Sequence, residues 1–270
     1  MTGKRIRNIL NKEWSVMFRD LNNALFVTLL PLLIVGQAIL IIWLIVKFGS
    51  DDSMSISLLQ NAVSKLTASI PSLAGLSSQE QLQMLLLSQF NFYLLLIPAM
   101  IAIGIATFSI VEEKITRSLE PLLATPVRTW ELLLGKALSG AIPALIVTWI
   151  CMGVFLVAVA GLGWGHLLNL LLNTSWYICL FLLTPLVAVL SFLLGVIASS
   201  RAADARSAQN IVIMVILPIL ALIGVQVAGV VWFTPLLNLA LALIVGVVDI
   251  IVLRIAVRLF QRESIVVKWH

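Results

Sequence analysis

Six long apolar runs dominate the chain, separated by short polar stretches. They fall at about Ala24–Val46, Phe90–Val111, Ala137–Ala160, Thr174–Ala198, Ile211–Val231 and Leu236–Val257. A helix rising 1.5 Å per residue needs about 20 apolar residues to cross a ~30 Å hydrocarbon core, so each run predicts one membrane span. Pro31, Pro98, Pro143, Pro185 and Pro218 fall inside five of them. Membranes tolerate such breaks when neighbouring helices satisfy the freed carbonyls.

The polar intervals carry their own patterns. In the leading segment, 1–23, Ile6, Leu10, Trp14, Met17 and Leu21 recur at three- and four-residue steps among Lys4, Arg5, Arg7, Lys12 and Arg19. This predicts an amphipathic helix lying at the bilayer surface with its cations toward lipid phosphates. The apolar run that follows is too long for the core of a cleaved signal peptide. In the largest interval, 47–89, Leu59, Val63, Leu66 and Ile70 form a helical stripe, and Ser77-Ser-Gln-Glu80 matches a capping box. Two short amphipathic helices are expected there, broken at Pro71–Gly75. Gly161-Leu-Gly-Trp-Gly165 reads as a turn with Trp164 as an interfacial anchor, and Trp232–Pro235 as a tight turn.

Composition narrows the class. Of the 270 residues, 61% are hydrophobic and 11% charged, and the mean hydropathy is +1.12. Soluble domains carry about a quarter charged residues. The expected architecture is an all-α membrane protein, one transmembrane domain over 1–270. Fourteen of the 17 lysines and arginines fall in 1–23, 112–136, the 201–206 link and the tail, and Arg254 lies near the inner end of the last run; Lys47 and Lys65 are the other two. This bias predicts a multi-pass protein of the cytoplasmic membrane with both termini cytoplasmic and 47–89 outside. It also accounts for the net charge of +5 as lipid-facing cations, without a nucleic-acid partner. Cys151 and Cys179 lie within apolar runs and read as small packing residues.

The interval 112–136 is the longest polar island assigned to the cytoplasmic side. It carries Glu112, Glu113, Lys114, Arg117, Glu120, Arg128, Glu131 and Lys136 around an apolar patch of Leu119, Leu122, Leu123 and Val127. Ser118 suits a helix cap before Pro121, and Thr125 suits a second before Pro126. The predicted shape is helix, turn, short helix, turn, helix: a knob presented to another protein.

The wording of this interval resembles the type-2 ATP-binding-cassette (ABC) permeases. The matching stretches are Glu112-Glu-Lys114, Ser118-Leu-Glu-Pro-Leu-Leu-Ala-Thr-Pro-Val127 and Glu131-Leu-Leu-Leu-Gly-Lys136, with Leu259-Phe-Gln-Arg-Glu263 in the tail. The resemblance implies a cytoplasmic coupling helix between spans two and three that docks on a separate ABC ATPase subunit. Glu112, Glu113, Arg117, Leu119, Glu120, Leu122, Leu123, Thr125, Pro126 and Arg128 would make that contact. It further implies a second permease subunit, identical or related, and ATP-driven export with ATP–Mg held by the partner and no cofactor on this chain. The Leu119–Val127 wording is most similar to a branch linked to sodium efflux and drug export. Members of that branch often have a much larger outer domain than 47–89, so a drug, lipid or peptide stands beside sodium as substrate.

In the last span, Asp249 and Arg254 are the ionisable residues. Arg254 lies about 140° round the helix from Asp249 and near the inner end, a poor partner for it. Asp249 therefore either lines a translocation path or cation site, or locks two helices together. The first use would also suit a gradient-driven secondary transporter or channel, the alternative function for the chain. Gln37, Asn91 and Gln226 are expected to hydrogen-bond between helices. No nucleophile–base pair or paired carboxylates appear in the spans, and Leu134-Gly-Lys-Ala137 is no phosphate-binding loop, so no catalytic residue is assigned.

Overall fold

The computed structural model describes residues 7, 10–15, 21–48, 61, 63–64, 66–67, 73, 75–115, 129–201, 217, 221 and 234–259. Most of the expected fifth span, the middle of the coupling run, most of the first half of the 47–89 interval and most of the tail lie outside them. The described residues are helical, with no strand among them. Eight helices are named here: α1 (Leu21–Phe48), α2 (Ser78–Ser88), α3 (Phe90–Ile115), α4 (Thr129–Val159), α5 (Gly165–Leu171), α6 (Thr174–Ile178), α7 (Thr184–Arg201) and α8 (Pro235–Leu259). Five stretches among the described residues are long and apolar enough to cross a bilayer: Val27–Phe48, Ser78–Thr107, Trp130–Leu171, Thr174–Ser200 and Pro235–Leu259.

The centre of the bundle is the α3–α7 pair, flanked by α4. Small residues let these backbones approach. A Cβ added to Gly195 of α7 would stand 2.8 Å from the Ala106 Cβ and 3.3 Å from the Ile103 backbone. Ala99, Ala102 and Ala106 of α3 and Ala188 and Ala198 of α7 are also buried. In lipid, where tails are as apolar as leucine, close packing of this kind replaces the hydrophobic drive between helices. Gly140 of α4 is similarly closed over by the Phe192 ring, and Phe90 stacks on Phe155 at 3.6 Å between centroids.

The predicted breaks take particular forms. Pro31, Pro98 and Pro143 sit within continuous helices. Ahead of Pro185 the fourth span instead widens into a π-helical turn, Cys179–Leu183. Proline offers no N–H to the preceding turn, and a π turn re-registers the ladder. The Thr184 amide donates to the Cys179 carbonyl, and the Thr184 hydroxyl lies within bonding reach of Cys179 O at 2.8 Å and Leu94 O at 3.1 Å. The predicted glycine turn is a kink between two helices within Ala160–Trp164, where Gly163 takes φ +85°, a conformation that side chains with a Cβ rarely adopt. The capping box is present: the Ser77 hydroxyl accepts from the Glu80 amide while the Glu80 carboxylate accepts from the Ser77 amide. At the same end of the bundle, His166 of α5 lies 3.2 Å from Glu80.

Candidate functional site

The interval 112–136 is rooted in two long helices. Val111–Ile115 continues α3, and α4 begins at Thr129, so the last two turns of the interval are already part of the helix that becomes the third span. Of the expected docking residues, Glu112 and Glu113 lie on the helical end of α3. Arg117, Leu119, Glu120, Leu122, Leu123, Thr125, Pro126 and Arg128 lie outside the described residues.

The α4 root is buried rather than solvated. Glu131, Leu132, Leu133, Gly135, Lys136 and Ala137 are all buried. The Lys136 side chain, 3% exposed, ends in a three-residue polar ring. Its ammonium donates to the Ser109 hydroxyl (2.9 Å), which donates to Glu13 Oε2 (3.0 Å), and the ammonium lies 3.5 Å from Glu13 Oε1. A buried charge needs such partners, because removing an ion from water costs several kcal/mol. One residue on, the Trp14 indole N–H donates to the Ser139 carbonyl (2.9 Å). Residues 10–15 are helical, and Trp14 packs against the core. The leading segment is thus fastened to both roots of the 112–136 interval: to α3 through Ser109, and to α4 through Lys136 and Ser139.

Sequence reading placed Lys136 in the polar run and did not single out Glu13 or Ser109. A signal was present. Helical spacing puts Glu13 between Leu10 and Met17 on the apolar stripe of the leading segment, where an acid has no place unless a cation meets it.

Asp249 lies elsewhere, on the buried face of α8 with Asn238, Ala242, Val252 and Ala256. That face is fixed at one end by Asn238, whose amide donates to the Ser175 carbonyl (2.8 Å) and hydroxyl (2.9 Å) of α6. Further along, Gly246 meets Leu186 of α7. Asp249 is one turn beyond and 8% exposed, and neither carboxylate oxygen has a hydrogen-bond partner among the described residues. Arg254 is exposed and forms no ion pair with it, as the angular separation predicted. Asn91 Oδ1 is also buried without a partner among the described residues, while Gln37, expected to bond between helices, faces outward. Gln226 lies outside the described residues.

The family model for the ABC-2 family transporter protein matches residues 7–241, from the Glu13 helix through both roots to the start of α8. The chain belongs to the ABC-2 transporter family. No curated protein and no solved structure matches it. For an ABC-2 transporter, a membrane protein and by family a permease of an ABC system, the two features have distinct locations. The Glu13–Ser109–Lys136 ring sits where the 112–136 interval enters the bundle, and Asp249 lies in the last span, packed toward α6 and α7.

Proposed function

We propose that this chain is the permease subunit of an ATP-driven exporter, and that 112–136 is the coupling element on which a separate ATPase subunit docks. The observation that carries this reading is the rooting of that interval. Its two ends are the ends of α3 and α4, which pack against each other and against α7. A force applied to the knob would therefore move whole spans, as an alternating-access switch requires. The ring at Lys136 makes the leading helix part of the same moving unit. Two permeases, each with its ATPase, would enclose the path, with both termini cytoplasmic and ATP–Mg held by the ATPase.

The test is Leu122→Ala with Leu123→Ala. Truncating hot-spot contacts costs ~2 kcal/mol or more, and 1.4 kcal/mol is a factor of ten, so ATPase binding should weaken by at least ~30-fold. Permease yield and monodispersity should stay at wild-type levels. Full ATPase co-purification and transport in the double variant would refute the assignment. ATPase stimulation in reconstituted vesicles by drugs, lipids, peptides and sodium, tested in turn, would name the substrate.

A second reading follows from Asp249. A buried carboxylate without a partner among the described residues favours a place on the translocation path, and it equally suits gradient-driven transport. Export that persists without ATP and collapses with the ion gradient would select that alternative.

A further inference from the structure

Two spans, α1 and α8, lie at the edge of the described bundle, and each turns most of its surface outward. Their outward faces differ in chemistry. On α8 that face is apolar along the span, with Leu239, Leu243, Val247, Ile250 and Ile251 exposed. This is a surface for lipid tails. On α1, Val27, Pro31, Val35, Ala38 and Ile42 face inward. The opposite stripe is Leu29, Leu33, Gly36, Gln37, Leu40 and Leu44, all exposed.

Gln37 is out of place there. At 1.5 Å per residue it lies about 21 Å along the axis from Asn23 and about 15 Å from Lys47, which sets its amide near the middle of a ~30 Å hydrocarbon core. No hydrogen bond to it forms among the described residues. A primary amide in hydrocarbon without a partner is costly, and lipid tails offer it nothing. Beside it, Gly36 has open space where a Cβ would be, so another backbone could approach closely.

We propose that this stripe is where a second copy of the chain packs, with the two Gln37 amides bonding to each other across a two-fold axis. The amide is self-complementary: each side chain carries donors and an acceptor, so two identical residues meeting on the axis satisfy one another reciprocally. An isologous interface needs that property. The inference rests on the proposed pairing of two permeases and names the face; it needs neither the ATPase nor the substrate.

The experiment uses full-length chain in native membranes, with Cys151→Ser and Cys179→Ser as background. Leu33→Cys and Leu40→Cys should each give a dimer band with a membrane-permeant oxidant, and Leu243→Cys on α8 should not. Separately, two copies carrying different tags should co-purify, and Gln37→Leu should weaken that association by about three- to fifteen-fold. Gln37→Asn should retain part of it. Because the Gln37 side chain is exposed and makes no hydrogen bond among the described residues, each variant should purify in normal yield. Co-purification of the two tagged copies with cross-links on α8 and none on α1 would overturn the face while leaving the pairing intact. Absence of any self-association would overturn both, and recovery of a different permease in its place would show that the partner is not a second copy.

Discussion

The Glu13–Ser109–Lys136 ring allows a quantitative test. The perturbation is Lys136→Met, which keeps most of the apolar stem and deletes the ammonium. Removing one member of a fully buried ion pair costs ~3–5 kcal/mol. Here Glu13 keeps a rim of solvent, its side chain being 14% exposed, and Lys12 lies 3.9 Å away on the exposed side. The expected loss is therefore smaller, about 2–3 kcal/mol, in line with the ~1.5–3 kcal/mol of a hydrogen bond to a charged group. Glu13→Gln should cost a similar amount. Contacting groups in one network couple by ~0.5–3 kcal/mol, so the double variant should lose about 1–2 kcal/mol less than the two single losses together. The assay is equilibrium unfolding in mixed detergent–SDS micelles for wild type, both single variants and the double. ATPase-coupled transport should fall in both single variants at equal amounts of folded protein. Additivity within ~0.5 kcal/mol would mean the carboxylate and the ammonium do not sense each other, and the fastening of the leading helix would have to rest on the Trp14 and Ser109 hydrogen bonds instead.

Three further outcomes follow. Gly195→Ala should destabilise by ~1–3 kcal/mol in the same assay, because its Cβ would press on Ala106 and the Ile103 backbone, whereas Gly153→Ala, in open space, should be neutral or slightly stabilising. Asp249→Asn should express normally and alter transport if the acid lines the path; lost stability with normal transport per folded molecule would make it a packing group instead. Cysteines at Ser118 and Arg201 should react with an impermeant thiol reagent only from the cytoplasmic side and one at Ser57 only from outside, and outside labelling at Ser118 would reverse the proposed orientation.

The helical architecture was legible because the bilayer imposes it. The apolar runs beginning at Ala24, Phe90, Ala137, Thr174 and Leu236 each correspond to a long helix, and the Ser77–Glu80 cap was readable from four adjacent residues. The six-span count extends beyond the described helices, since 211–231 lies outside them. The start of α4 at Thr129 was less legible, because Glu131 and Lys136 look like loop residues until a buried partner neutralises the lysine. Glu13 meets Lys136, Asn238 meets Ser175 and Thr184 meets Leu94 from distant parts of the chain. Local periodicity says which face of a helix is odd, but not what will meet it. Gln37 shows the converse: its polarity at membrane depth was plain, yet only the packed helices reveal that it points away from the described bundle.

The π turn at Cys179–Leu183 has a consequence for how the fourth span is phased. Such a turn holds one residue more than an α-helical turn, so the helix on either side is offset by about 100° from where an uninterrupted ladder would put it. Without that offset, a rotation that aimed Thr184 at Leu94 would swing Ser175 away from Asn238. The span therefore behaves as two helices with separate azimuths, α6 addressed to α8 and α7 addressed to α3. Pro185 sits at the junction, so the azimuth of each half can be set by a different neighbour.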